Sequence, residues 1–305
     1  LPHFFMNKFS YLYIVFFYLS AAAFTLFGSI SLEHQVIGCM IMVALFGIPH
    51  GAIDNIILLS ENNVSPFKFY FWYIMAIILY VICWFYFPVF SFVVFLLLSC
   101  FHFGESQLAN YKLKVFYSKF IYMLWGLAMI SALFYYNSYE LTNLFDKFSD
   151  TNQFKIVLNP IFLKYTFYVT NFLILIFLSV LTRKKQIEID IFFQELFQLF
   201  LIHLTFILFP VVISFTLYFV FLHSIKVLFD EYHYLNSITE GFNLFSFLRL
   251  LIPYTIISVV FILIFMFLGK DSNYEISILL FSFISISVIT LPHSFVMTNF
   301  YDKNK

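Results

Sequence analysis

The sequence predicts an all-α protein, a polytopic bundle of eight to ten transmembrane helices in which residues 1–305 form a single integral-membrane domain. The chain is 63% hydrophobic and only 10% charged, which lies far from the balance of a soluble domain. It contains 48 Phe, more bulky apolar surface than a soluble core of this length encloses. Its apolar runs reach the roughly 20 residues that cross a bilayer core about 30 Å thick.

The apolar runs define ten predicted spans, separated by short polar segments. We expect them near residues 9–30, 35–59, 67–87, 88–104, 116–136, 162–182, 191–209, 211–229, 246–268 and 274–291. The break at Pro88 is tight, and the break at Pro210 is weak. The helices around Pro210 are therefore either two spans or one long kinked helix, because proline removes one backbone hydrogen bond within a helix. The most polar loop covers about 137–160, and a second polar stretch runs from Lys226 to Arg249.

The positions of lysine and arginine predict the orientation of the bundle. With ten spans and the N-terminus inside, the outer side carries only Lys147, Lys155, Lys164 and Lys270 of the 16 basic residues. The other basic residues fall on the inner side, which is the bias typical of cytoplasmic loops. We therefore expect both termini to be cytoplasmic. The net charge of zero gives no support for a nucleic-acid partner.

Four short phrases place a histidine in strongly apolar surroundings. They are IPHGAID around His50, CFHFGE around His102, FLHS around His223 and LPHS around His293. Ionisable groups inside membrane spans are costly and rare, and they usually face the bundle interior and carry function. In the predicted topology all four lie at a similar depth toward the inner side.

The remaining histidines do not share that depth. His3 and His34 lie at span ends, His203 lies in the outer half of its span, and His233 lies in a polar stretch. A single buried histidine is most often held by an ordinary polar contact, but four at one depth favour a shared metal ion. Imidazole is a suitable ligand for Fe, Zn or Cu.

Two carboxylates accompany these histidines at helical spacing. Asp54 follows His50 by four residues and Glu105 follows His102 by three, so each shares a helix face with its histidine. Both either orient the histidines and balance the metal charge without binding the metal themselves, or are plain interfacial acids near span ends. Gly51, beside His50, would allow a close approach by a neighbouring group.

These residues together resemble the Brp/Blh family of bacterial and archaeal membrane proteins, described as β-carotene 15,15'-dioxygenases. The resemblance rests on PHGAID at 49–54, HFGE at 102–105, His223-Ser224 and LPH at 291–293. It implies a cell (inner) membrane enzyme that holds Fe²⁺ with histidines. Such an enzyme cleaves the central double bond of β-carotene with O₂ to give two molecules of retinal, which then serves a rhodopsin.

The sequence departs from the family pattern at one position. A second histidine is expected four residues after the one matching His223, but Val227 stands there. We expect His50, His102 and His223 to be metal ligands with His293 as the fourth, a three-histidine site being the other workable arrangement. Loss of activity is a further alternative, which would leave a non-catalytic carotenoid- or retinal-binding protein of the same family.

Two other classes fit the sequence less well. A membrane di-iron desaturase or hydroxylase would need HxxxH and HxxHH clusters, which the sequence lacks. A secondary transporter would show internal repeats with paired broken helices, and no repeat is visible.

Overall fold

A computed structural model describes residues 7–28, 30–61, 65–269 and 277–303, and all regular secondary structure in them is helical. This confirms the predicted all-α class. His3, Lys270 and residues 274–276 of the predicted last span lie outside the described residues. The helices are α1 (Lys8–Phe27), α2 (Leu32–Met42), α3 (Asp54–Glu61), α4 (Pro66–Tyr86), α5 (Pro88–Leu108), α6 (Ser118–Tyr136), α7 (Ser138–Asp146), α8 (Pro160–Arg183), α9 (Ile189–Leu208), α10 (Val211–Leu217), α11 (Ile225–Ile238), α12 (Leu244–Gly269) and α13 (Ile278–Lys303).

Nine stretches of the described residues are long and apolar enough to cross a membrane, in agreement with the predicted eight to ten spans. They are Lys8–Phe27, His34–Ser60, Pro66–Tyr86, Pro88–Tyr111, Ser118–Tyr136, Pro160–Arg183, Ile189–Leu208, Val211–Ile238 and Leu279–Lys303. Helix α12 adds a shorter apolar stretch, Leu244–Ile257. The chain is therefore a multi-pass membrane protein. The spans of α5, α6 and α10–α11 are at least half buried within the bundle.

Several predicted span ends were wrong, and the two largest errors placed the end of a span too early. The last span was expected to end at 291, before His293, but α13 continues to Lys303. The span expected to end at 229 continues through α11 to Ile238. Polar residues in both extensions, such as His293 and Glu231, are buried. Both side chains face the bundle interior. Because they are polar, a prediction from hydropathy assigns them to a loop instead of to the helix. The predicted polar loop at 137–160 likewise contains α7.

The weak break at Pro210 separates two helices rather than kinking one. Phe209 is extended, with φ −116° and ψ 152°, and α10 begins directly after Pro210. The Val211 N–H at the start of α10 donates to the Glu140 carboxylate of α7 at 2.9 Å. This bond satisfies one backbone donor that a helix start leaves without an intrahelical partner.

Helices α5 and α6 cross with their backbones in close approach. A Cβ on Gly104 would overlap the carbonyl oxygen of Tyr122, and a Cβ on Gly126 would overlap that of Cys100. Each helix therefore offers a glycine to the other's backbone, an arrangement by which small residues let membrane helices pack closely. The crossing fixes the part of α5 that carries His102.

Candidate metal centre

The four histidines singled out from the sequence come together in the interior of the bundle. His50, His102, His223 and His293 belong to four different candidate spans, and all are buried. Ring centroids lie 4.8 Å apart for His102 and His223, 5.2 Å for His50 and His223, and 6.5 Å for His50 and His102. The His293 ring lies 5.0 Å from His50 and 4.9 Å from His102.

Three of these histidines offer nitrogen atoms to one common point. One ring nitrogen each of His50, His102 and His223 lies within 4.8 Å of the others. Three imidazole nitrogens bonded to one ion at about 2.1 Å lie about 3.4–3.6 Å from one another. Ring movements of under about 1 Å would therefore close these three around one ion. His293 lies beside these three histidines, and its ring is in contact with the rings of His50 and His102.

His50 lies where the helix geometry is irregular, and this irregularity determines the hydrogen bond of its ring. A π-helical turn at Val43–Gly47 is followed by a 3-10 turn at Pro49–Gly51. The Gly51 N–H donates to Ile48 at 3.3 Å, which leaves the Gly47 carbonyl available to the His50 ring. His50 Nδ1 hydrogen bonds to this carbonyl. Because a carbonyl only accepts, Nδ1 carries the proton and Nε2 keeps its lone pair.

The orientation of His223 depends on Ser106. His223 lies in a π-helical turn, Tyr218–Ser224, a distortion that is frequent at functional sites. Its Nδ1 lies 2.9 Å from the Ser106 hydroxyl, and that hydroxyl donates its one proton to the Phe103 carbonyl at 3.0 Å. The hydroxyl oxygen can then accept the proton of Nδ1, which leaves the lone pair of Nε2 available to a metal ion.

His293 differs because its partner is a carboxylate. His293 Nδ1 lies 2.7 Å from Asp54 Oδ1, and Tyr73 donates to Asp54 Oδ2 at 2.9 Å. Metal-binding histidines commonly have such a carboxylate on the ring nitrogen away from the metal. Asp54 was paired with His50 on the basis of helical spacing, but the chain from His50 to Ile53 is not a regular α-helix. The carboxylate contacts a histidine of another span instead.

Glu105 is fully buried and does not hydrogen bond to His102. Its Oε2 accepts from Thr298 of α13 at 2.6 Å. It thus ties the helix of His102 to the helix of His293. Gly51 lies against the His293 ring, since a Cβ there would be 3.5 Å from Nδ1.

Several imidazole nitrogens in the cluster are left without a hydrogen bond. Both ring nitrogens of His102, and Nε2 of His223 and of His293, are buried and have no partner among the described residues. Buried polar groups normally have hydrogen-bond partners, so such a set requires an explanation, and a metal ion bound to these nitrogens would provide one. The donor set suits a divalent transition metal. By this test the residues fit a metal ion.

The remaining described histidines have other partners. His203 bonds to Tyr136 and Asn171, each at 3.0 Å. His34 is exposed and contacts Ser31, and His233 is exposed against Phe229.

Val227 is fully buried in a second apolar cluster that also contains Ile53 and Met297. A valine side chain offers no metal-binding atom, so the position cannot supply a ligand.

Aromatic rings lie against the histidines. Phe103 lies 4.8 Å from the His223 ring, and Phe219 lies 5.6 Å from both the His50 and His223 rings.

Sequence reasoning missed two residues of the site. Ser106 follows His102 by four residues, so helical spacing alone could have suggested that it lies near the site. Tyr73 belongs to α4 and has no such signal, because only the packing of α4 against α3 brings it to Asp54.

The fold and the cluster define a polytopic membrane protein with a buried group of histidines able to hold a metal ion. A family model described as "Beta-carotene 15,15'-dioxygenase" matches residues 41–301, which include all four histidines. The chain belongs to this family, in agreement with the resemblance of its motifs. No curated protein and no solved structure gives a significant match.

Proposed function

We propose that this protein cleaves β-carotene at its central 15,15' double bond with O₂ to give two molecules of retinal. Fe²⁺ would be held by His50, His102 and His223, with His293 as the fourth ligand. The observation that carries the proposal is the group of three buried imidazole nitrogens within 4.8 Å of one another, in a chain that belongs to a carotene dioxygenase family.

The reaction balances without another cofactor. The central C=C bond and the O=O bond break, and each of the two carbons receives one oxygen atom as an aldehyde. The polyene is oxidised and O₂ is reduced, so no nicotinamide, flavin or other reductant is needed. When bound, ferrous iron supplies the open-shell centre that allows O₂ to react with a closed-shell polyene.

The protein's own residues prepare the site in two ways. The partners on Nδ1 of His50, His223 and His293 leave Nε2 of each ring as the nitrogen that would bind the metal. Phe103 and Phe219 cover the histidines with apolar surface, which excludes water from a reaction that does not use it. Asp54 is a negative charge close to the proposed dication, which lowers the cost of burying it.

Substrate and product both suit a site inside a membrane bundle. β-Carotene is an apolar rod that dissolves in the bilayer, so it can reach a site between helices from the lipid. Retinal can leave the same way and pass to a rhodopsin. With α12 counted as a tenth span, both termini lie on one side of the membrane, and the bias of lysine and arginine supports the cytoplasmic side. We place the protein in the cell (inner) membrane.

Val227 favours one alternative, a membrane carotenoid- or retinal-binding protein without catalysis. A protein that lacks one metal ligand can retain an apolar binding site and lose the metal. The two functions differ in iron content and in product.

The test is retinal formation in cells that make β-carotene, combined with the iron content of the purified protein. We expect retinal and about one iron per chain, and loss of both in His50→Ala and His102→Ala. His203→Ala is the matched control, because His203 is held by Tyr136 and Asn171 away from the cluster. An iron-free protein that yields no retinal would refute the enzyme and favour the binding protein.

A further inference from the structure

Phe219 touches the histidine cluster and still has accessible surface. Its ring centroid lies 5.6 Å from the ring centroids of both His50 and His223. Phe103 also contacts His223, but Phe103 is buried, whereas Phe219 is partly exposed. An apolar molecule that comes in over Phe219 therefore meets this ring before it meets the metal ligands.

Phe215 continues the line of Phe219 away from the histidines. The Phe215 and Phe219 rings are stacked with their centroids 5.7 Å apart and 14° between their planes, and Phe219 is stacked on His223 at 24°. The three residues are spaced by four, so they share one face of α10 and the π-helical turn that follows it. Phe215 is partly exposed as well. We call the rings of Phe215 and Phe219 the phenyl row; it runs about 12 Å along the helix axis from Phe215 to His223.

The position of the Phe219 ring depends on Gly47. A Cβ on Gly47 would lie 2.7 Å from Phe219 Cε1 and 3.0 Å from Val43 Cγ1, so a side chain at this position would displace the ring. Leu45, in the same π-helical turn as Gly47, is 59% exposed. Because this turn belongs to a candidate membrane span, its exposed side faces lipid. The Phe219 ring thus packs on a turn that borders the bilayer.

The reaction restricts where β-carotene can lie. Its central bond has to reach the metal, so each half of the polyene must leave the metal along a surface that begins at the histidines. The four histidines are buried, and the phenyl row begins at two of them and leads to accessible surface. A polyene along this row would meet the edges of the stacked rings, and the contact of a ring edge with a π face is favourable.

We propose that the phenyl row holds one half of the β-carotene polyene and that Phe219 determines which double bond lies at the metal. The inference rests on the proposed function, which requires β-carotene at the histidine cluster. Phe219 would contact the polyene next to the reacting bond without binding the metal. Without this ring the polyene can shift along its own axis, and a neighbouring double bond then reaches the metal. Cleavage there also breaks one C=C and one O=O bond, but it gives two unequal aldehydes, one longer and one shorter than retinal.

The test compares Phe219→Leu with the wild-type protein, both as the full chain in detergent. Leucine keeps an apolar side chain at a partly exposed position, so the variant should fold, but the flat ring is lost. With Fe²⁺, O₂ and β-carotene, we expect kcat/KM for retinal to fall about 2- to 12-fold. We also expect unequal aldehydes that the wild-type protein does not form, and chromatography of the products detects them.

A second measurement does not depend on catalysis. The metal-free protein is titrated with β-carotene, and the shift of the visible absorption bands reports binding. Phe219→Leu should bind β-carotene about 2- to 12-fold more weakly than the wild-type protein. Its dissociation constant for Co²⁺ should be unchanged, because Phe219 supplies no metal ligand.

Phe177→Leu is the matched control. Phe177 is also a partly exposed phenylalanine in a candidate membrane span, but its ring neighbours are Tyr117 and Phe120 instead of histidines. We expect this variant to bind β-carotene as the wild-type protein does and to form only retinal.

Two further variants test the row itself. Phe219→Tyr keeps a flat ring and should return retinal as the sole product. Phe215→Leu removes the ring one step further from the metal, so it should weaken β-carotene binding even if Phe219→Leu does not fold.

The possible results separate the row from the proposed function. If Phe219→Leu still forms only retinal, the inference is overturned, whatever the rate. A loss of Co²⁺ binding in Phe219→Leu also overturns it, because Phe219 would then only support the metal site. If the wild-type protein binds β-carotene through the phenyl row but forms no retinal, the proposed function fails and the row remains a carotenoid-binding surface. If it neither binds nor cleaves β-carotene, both fail.

Discussion

Ser106→Ala tests how far the orientation of one histidine determines metal binding. The Ser106 hydroxyl oxygen lies 2.9 Å from His223 Nδ1. With metal on Nε2, this oxygen accepts the Nδ1 proton, and alanine removes the acceptor with little change in volume. A buried donor left without an acceptor costs about 1–3 kcal/mol. In the metal-free protein the His223 ring can turn or change its tautomer to avoid part of this cost. With metal on Nε2 it cannot, so we expect the affinity for metal to fall about 5- to 150-fold.

The assay is competition between the protein and a chelator for Co²⁺, which gives the dissociation constant directly. Ser131→Ala is a closely matched control. Ser131 is also a buried helical serine that donates to the carbonyl three residues before it, and its second partner is Thr170 of α8 instead of a histidine. The two variants should lose similar thermal stability, while only Ser106→Ala weakens metal binding. Equal dissociation constants in both variants would refute the role of Ser106.

Three further predictions follow from other contacts. Asp54→Asn keeps a hydrogen-bond acceptor for His293 but removes the charge, so we expect about tenfold weaker Co²⁺ binding. Tyr73→Phe should have a smaller effect. The same competition assay checks both variants, and an unchanged dissociation constant in Asp54→Asn would contradict the carboxylate's role. Gly126→Ala should lower the thermal unfolding temperature by several degrees because its Cβ meets the backbone of α5, whereas Gly38→Ala, with open space around it, should leave that temperature unchanged or raise it slightly. Removal of metal with a chelator should abolish retinal formation by the purified protein and Fe²⁺ should restore it; activity that persists without metal would exclude the proposed centre.

The fold was predictable because hydropathy and helix length are local properties of the sequence. The runs of about 20 apolar residues identified the spans, and Pro210 identified a helix boundary that the structure contains. Span ends were predicted less well. Buried polar residues such as His293 and Glu231 extend α13 and α11 beyond the point at which hydropathy falls, and their burial depends on neighbouring helices.

The candidate site was predictable only in part for a similar reason. The four histidines stood out because ionisable residues are rare in apolar spans, and their similar depth could be read from the topology. Their hydrogen-bond partners could not be read in the same way. The partner of Asp54 is His293, 239 positions away in the sequence, and the partner of His223 is Ser106, 117 positions away. Such pairs depend on which helices become neighbours, and helical spacing within one segment carries no information on that.

X-ray absorption at the iron edge of the purified protein addresses the ligands themselves. A ferrous ion on these side chains should show a first shell of nitrogen or oxygen at about 2.1 Å, with the outer-shell scattering of three or four imidazoles, and this scattering should diminish in His293→Ala. A protein that takes up iron without imidazole scattering, or that takes up none, would contradict the account.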